Sequence, residues 1–358
     1  MEYAGAPSMG GYGGQQTQQR IAPVTSIDTE HNDMINDIQL DYYGKRLVTC
    51  SGDRTFRVYD VSEATVPSQD NKTKPAADPN GPKLAAHVLQ HITQLPDDSN
   101  APMHRIAWAH PKFGSLLAMA CQDGKVFVYR EELHPNGSGA TEWILKYVHT
   151  FHSLSVVSIA WAPYEYGLCL ASASADGQVS FLTRMREGWV TSSSFMNSQD
   201  GAGVTSVSWA PYNSLGSQGS QGPVQRVVTG STNSAVQIWQ FAAQENQWTL
   251  TEDSLMGHED WVRDVAWAPN VGIPANIIAS GSDDHTVRVW SQDEIDGDWK
   301  MHVVHTFRSP VYRISWSLTG TVLSVAVGDD EVTFWKQISE KEWVQLSSVN
   351  EHGAQVMD

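Results

Sequence analysis

The chain has 358 residues, 41% of them hydrophobic, with 40 Asp and Glu against 23 Lys and Arg for a formal net charge of -17. This acidic balance repels nucleic-acid phosphate and anionic lipid heads, and no Lys/Arg cluster marks a local basic exception. Cys50, Cys121 and Cys169 make neither a disulfide framework nor a CxxC metal site, no apolar run nears the roughly 18 residues of a membrane span, and Met1 opens no signal peptide, so a soluble protein of a reducing compartment is expected.

Taken from the N-terminus, residues 1–20 are Gly/Gln-rich and read as disordered. Residues 21–29 predict an extended strand directly ahead of His31. A repeat then begins. Asp53 is followed six residues on by Tyr59, and the same step recurs at Asp123–Tyr129, Asn233–Trp239, Asp284–Trp290 and Asp329–Trp335. Asp176–Leu182 keeps the step without the aromatic. Recurrence every ~45 to 70 residues means stacked supersecondary units. Each unit also has an earlier alternating strand ending at Trp108, Trp161, Trp209, Trp267 or Trp316, with Leu40 in the first. Period-two alternation around Ser/Gly/Asp turns predicts strands. Outer strands are predicted at 84–92, 143–150, 189–196, 248–255, 299–306 and 343–349. Residues 62–83, with four prolines, and 212–223 read as long surface loops, and 351–358 as a C-terminal tail.

The cleanest unit holds Gly257-His258, Trp261 to Pro269, Asp284 and Trp290. It resembles the WD-repeat pattern, whose units are four-stranded propeller blades. Nine residues before the first Trp position stand His31, His152 and His258; Ser99, Asp200 and Phe307 take that place in the other blades. In WD repeats such a His joins the turn Asp and the late aromatic in a hydrogen-bonded cluster. The resemblance therefore implies structural networks from His31 and Asp53, from His152 and Asp176, and from His258, Asp284 and Trp290, with Asp329 and Trp335 in blade six. Blades two, four and six are expected to lean on apolar packing.

Six blades of four strands use every predicted strand except 21–29. Two arrangements fit this count. One is a closed ring with 21–29 lying outside it. The other is an all-β, open six-bladed propeller spanning 21–350 with a spare N-terminal strand, completed by a blade from a partner through β-augmentation. In the open form Val24 and Ile27 are the expected interface residues.

The stretches Asp28 to Leu47, Asp260 to Pro269 and Val332 to Lys336 resemble the propeller subunit of the COPII outer coat, the smaller partner of its outer-cage heterodimer. That family also serves in the Y-shaped scaffold of the nuclear pore. The resemblance implies the open ring. It implies a large coat subunit and a pore scaffold nucleoporin as partners, each inserting a three-stranded blade. In some species it implies an amino-acid-sensing complex at the vacuole or lysosome. Location would be the cytoplasmic face of the endoplasmic reticulum, coated vesicles and the nuclear pore, with indirect membrane association, no direct nucleic-acid contact and no cofactor. Competing readings are a peptide-reading propeller and an enzyme. The first wants a uniform cage or ring at the channel, whereas Asp37, Arg105, Ser158, Ser206, Asp264 and Arg313 share one position and mix signs. The second wants a catalytic motif, and none of the GxSxG, HExxH or Walker type occurs.

Overall fold

The computed structural model describes residues 27–61 and 88–356, apart from short breaks at 97–98, 100, 136, 138, 220–221, 252–254, 273–274, 296, 329–330, 340–341 and 351–352. Val24, Asp329, the 62–83 loop and the 1–20 tail lie outside the described residues.

Six antiparallel sheets follow one another along the chain. Blade one is β1 (Ile35–Leu40), β2 (Arg46–Ser51), β3 (Thr55–Asp60) and β4 (Val88–Gln94). Blade two is β5 (Met103–Trp108), β6 (Leu116–Cys121), β7 (Val126–Leu133) and β8 (Thr141–His149). Blade three is β9 (Val156–Trp161), β10 (Cys169–Ser174), β11 (Gln178–Arg184) and β12 (Trp189–Met196). Blade four has β13 (Val204–Trp209), a small hairpin of β14 (Gln218–Gly219) and β15 (Gly222–Pro223), then β16 (Arg226–Ser231), β17 (Val236–Ala242) and β18 (Gln247–Leu250). Blade five is β19 (Val262–Trp267), β20 (Asn276–Ser282), β21 (Thr286–Gln292) and β22 (Lys300–Thr306). Blade six is β23 (Val311–Trp316), β24 (Val322–Val327), β25 (Glu331–Ser339), β26 (Glu342–Asn350) and β27 (Gly353–Val356).

The six-residue step has a local cause. Each Asp sits in the turn between the second and third strands of its blade. Asp53 and Asp284 accept the backbone N–H of Thr55 and Thr286 at 2.9 and 2.8 Å, and Asp176 that of Gln178 at 3.0 Å. Ser51, Ser174 and Ser282 accept the N–H of these same Asp residues. Such Asx and Ser turns hold the strands in register. The aromatic six residues later lies on the third strand, facing the blade interior.

Three expectations need correction. Ile27 to Thr29 do not form a strand. The Thr29 carbonyl instead accepts Arg57 Nη1 at 2.7 Å and Tyr59 Oη at 2.9 Å, and Glu30 turns with φ 53° into His31. Residues 21–26 of the expected spare strand lie outside the described residues. The 351–358 tail contains β27, which pairs with β26 from Ser347↔Val356 to Asn350↔Gly353 and makes blade six five-stranded. A sheet edge offers unpaired backbone donors and acceptors, and a following segment of the same chain satisfies them. The 212–223 segment is also more than a surface addition. Ser214 and Ser217 are buried, Arg226 Nη2 donates to Ser214 Oγ and the Leu215 carbonyl, and Asn276 Nδ2 of blade five reaches that same carbonyl at 3.1 Å.

The core lies between blades. Five clusters of buried side chains join blade one to two, two to three, three to four, four to five and five to six. Glycine allows the closest approaches. A Cβ on Gly281 would stand 2.6 Å from Val311 Cγ1 and 3.3 Å from Ile314 Cγ2 of blade six. Gly281→Ala should therefore lower unfolding free energy by about 1–3 kcal/mol through overpacking, read from urea midpoints.

Candidate partner interface

Every inner strand is bulged at the same place. The pairing skips one residue after Ile35, Met103, Val156, Val204, Val262 and Val311. A bulge re-aims the side chains that follow it. Here it turns the third residue toward the next blade at the central channel, a cavity of about 670 Å³.

Those third residues hand hydrogen bonds around the hub. Asp37 accepts the N–H of Ile106 at 3.0 Å, and Ser158 that of Val207 at 3.3 Å. Ser206 accepts from Val265 at 3.2 Å, and Asp264 from Ile314 at 3.0 Å. Arg105 works with the opposite polarity and donates Nε to the Val157 carbonyl at 3.0 Å. Arg313, at the end of the series, reaches Asp37 Oδ1 at 2.8 Å. The mixed signs are thus the means by which each blade docks on the next. Burial pushes the carboxyls of Asp37 and Asp264 up, and Arg105 opposes the rise in both.

At the outer end of the inner strands Trp161, Trp209 and Trp316 donate their indole N–H back to Ala107, Ala160 and Ala266 of the preceding blade, at 3.1, 2.9 and 3.1 Å. Blade one has Leu40 there.

Between blade six and blade one this pattern breaks. Met103, Val156, Val204, Val262 and Val311, the first inner-strand residues of blades two to six, are no more than 1% exposed, whereas Ile35 is 41% exposed. Ile106, Val207, Val265 and Ile314 are buried, whereas their register equivalent Ile38 is 57% exposed; Leu40 is 56% exposed. The opposite wall shows the same. The second strands β6, β10 and β16 are buried at every residue, but β24 alternates half-buried and buried. Alternation means one covered face and one open face. On that face Ser324, Ala326, Val332 and Phe334 are half-buried, where Val48, Cys50, Phe56 and Val58 in blade one are fully buried. Among the described residues, no apolar cluster joins blades six and one.

Ile27 is half-buried ahead of His31, outside any strand, and does not extend the exposed row. Sequence reasoning missed Ile35, Ile38 and Leu40. Leu40 in the Trp position was the available signal.

The expected polar networks are structural. His258 bridges Asp284 at 2.8 Å and Ser280 Oγ at 2.7 Å, and Trp290 Nε1 donates to Ser280 at 3.0 Å. His31 bridges Asp53 and Thr49 at 2.9 and 2.8 Å. His152 lies 2.9 Å from Ser172 but 3.3 Å from Asp176. His149, the last residue of β8 in blade two, joins the network of blade three, 2.9 Å from Ser180. Trp335 donates to Thr333 at 2.8 Å. Blade four, expected to lean on apolar packing, also holds a polar network: buried Asn197 accepts both Trp239 Nε1 at 3.1 Å and Thr229 Oγ1 at 2.6 Å. Blade two keeps a Ser99–Asp123 bond of 3.0 Å. Among the described residues no group of three or more His, Cys, Asp or Glu could hold a metal ion. All three cysteines are buried and free, and burial pushes their thiols up.

Fold and gap together define a WD-repeat propeller whose first and last blades leave their facing surfaces uncovered. The family model for the WD domain, G-beta repeat, matches residues 22–60 and 250–291. The chain is 38% identical to Protein transport protein SEC13 of Cryptococcus neoformans over 93% of this chain and 97% of that protein. It is 36% identical to Protein SEC13 homolog of Drosophila melanogaster, covering 91% and 84%. With Protein transport protein SEC13 of Mycosarcoma maydis identity is 35%, covering 91% and 94%. The chain belongs to the SEC13 family.

The buried histidines give the fold a pH dependence. Burial holds His149 down to about 4, the neighbouring His152 adding to the effect; burial also lowers His152 and His258, although their aspartates pull the other way. Below pH ~6.5 the unfolded chain takes up protons that these folded sites refuse, so their contribution is lost as pH falls. Asp284 acts in the same direction at lower pH. Burial alone would raise it, but bonds from Thr286 and His258 hold it at about 2. Asp37 and Asp264, raised by burial, act oppositely. The clean measurement is a difference. Between pH 7.5 and 5, His149→Gln should lose about 2 kcal/mol less stability than the natural chain, read from urea midpoints.

Proposed function

We propose that this chain is the non-catalytic propeller subunit of the COPII outer coat, accepting a three-stranded blade from a larger coat subunit in the gap between blades six and one. The observation that carries this reading is the exposed row Ile35, Ile38 and Leu40: the other five blades bury the first of these positions and bury or half-bury the other two. A sheet inserted there covers two apolar faces at once. An obligate interface of this kind removes roughly 2,000 Å² or more from water, and burying one Ile side chain contributes about 2 kcal/mol before ordering costs. The role follows mechanically. A propeller closed by its partner is stiff, because every blade is then gripped on both faces, and it stiffens the partner where the two chains interlock. Contact with the vesicle membrane is through the partner. The same gap would accept a blade from a nuclear pore scaffold protein, so one chain would serve two curved assemblies. The SEC13 names of its relatives, which specify protein transport, support the coat assignment.

Ile38→Asp tests this. The side chain is exposed in the free chain, so the thermal midpoint should stay within about 3 °C of the natural one. Recovery of the large coat subunit in co-purification should fall about tenfold or more, because a carboxylate would be buried against the inserted sheet. Undiminished recovery would sink the proposal.

A further inference from the structure

The walls of the gap constrain what can fill it, and this inference rests on the blade-accepting role above. Four of the five covered interfaces in this chain obey the same three rules, and the interface of blades two and three departs from the second, where Arg105 donates instead. First, the first and fourth residues of an inner strand are apolar and plug against the second strand of the preceding blade. Val262 and Val265 stand 2.8 and 3.0 Å from where a Cβ on Gly230 would lie, and Val204 of blade four is likewise buried in the blade three/four cluster with Ala173. Second, a short acceptor at the third residue, Asp37, Ser158, Ser206 or Asp264, takes the N–H of the fourth residue in the following blade. Third, the fifth residue settles how the sixth is held. Where it is Ala, the next Trp donates its indole to that carbonyl. Where it is Gln39 or Ser208, the side chain accepts the backbone N–H of Trp108 or Trp267, at 3.3 and 3.0 Å.

Both walls of the gap carry one half of each rule. Blade six offers Ala326 at the place of Ala173, Ser315 at the place of Ser208, and Arg313 at the place of Arg105. Arg105 donates to the second-residue carbonyl of the next inner strand. Arg313 has no following strand in this chain and turns to Asp37 instead. Blade one offers the N–H of Ile38, the counterpart of Ile106 and Val265.

We infer that the partner fills the gap with a WD-type blade whose innermost strand reads apolar, any, Ser or Asp, apolar, in the register of the five inner strands of blades two to six. Its apolar pair covers Ala326 and Phe334. Its Ser or Asp takes the Ile38 N–H, and its second carbonyl takes Arg313. Ser315 holds the backbone N–H of its sixth residue, so a terminal Trp is not required.

A fusion tests this with sequence already known to obey the rules. Residues 152–197, whose inner strand reads Val-Val-Ser-Ile-Ala-Trp, are appended by a flexible linker ahead of the full chain. The appended blade should raise the thermal midpoint by about 5 °C or more and cut recovery of the large coat subunit about tenfold by occupying its place. A copy carrying Val156→Asp and Ile159→Asp should do neither. Equal effects from both copies, or no effect from the intact copy while the unfused chain still recovers the coat subunit, would overturn the inference and leave blade acceptance standing. Failure of the unfused chain to recover that subunit at all would instead remove the functional reading, and a midpoint gain confined to the intact copy would still uphold the strand rule.

Discussion

A blade of this propeller is stable because its two faces are covered by neighbours. A four-stranded sheet buried on both faces is apolar throughout, as β6, β10 and β16 are, and would be insoluble alone. Coverage is therefore the constraint to which the rest of the structure answers. The five inter-blade clusters supply it, the hub hydrogen bonds set its register, and the tryptophan indoles fasten its rim. An open ring leaves two faces without this cover, and the chain softens each differently. On blade one Thr29 to His31 fold back over Thr49, Arg57 and Tyr59, which leaves the inner strand and Ile92 of β4 bare. On blade six the uncovered face is reduced to Ser324, Ala326, Val332 and Phe334.

The His–Asp–Ser networks invite a catalytic reading, since a His bridging an Asp and a hydroxyl is the arrangement that activates a nucleophile. Their placement argues against it. They recur in blades one, three and five, each buried between strands and each ending on the structural turn Asp. Burial pushes His152 and His258 down, although their aspartates pull the other way, and both rings are held in a fixed lattice of bonds. A buried network of this kind stabilises when every member is satisfied. Asn197 in blade four does the same work with a different side chain, which indicates that the geometry of the site, not the chemistry of imidazole, is what the fold requires.

Much of the architecture was legible because it repeats. The Asp-to-aromatic step identified six blades, and the expected outer strands coincide closely with β4, β8, β12, β18, β22 and β26. Where the reading failed, the cause was nonlocal pairing. Residues 27–29 alternate like a strand, but Arg57 and Tyr59, far along the chain, take the Thr29 carbonyl instead. The short C-terminal segment has little pattern of its own, and becomes β27 because the β26 edge is there to pair with. Asn197 carried no signal, since Asn in a polar stretch reads as a turn. The exposed Ile35, Ile38 and Leu40 looked like core, because their alternation is that of the five inner strands that pack between blades.

By itself the sequence determined the repeat, the blade count, the absence of a basic face and membership in a propeller family. The first three follow from period, turn chemistry and charge, which are local or additive properties, and the last from the resemblance of its repeats to the WD pattern. Only the tertiary structure decided which apolar residues are covered. Ile38 and Ile106 occupy one register position with one side chain, and differ only in having a neighbouring blade. That difference is a property of the ring, which leaves the facing surfaces of the first blade and the last uncovered.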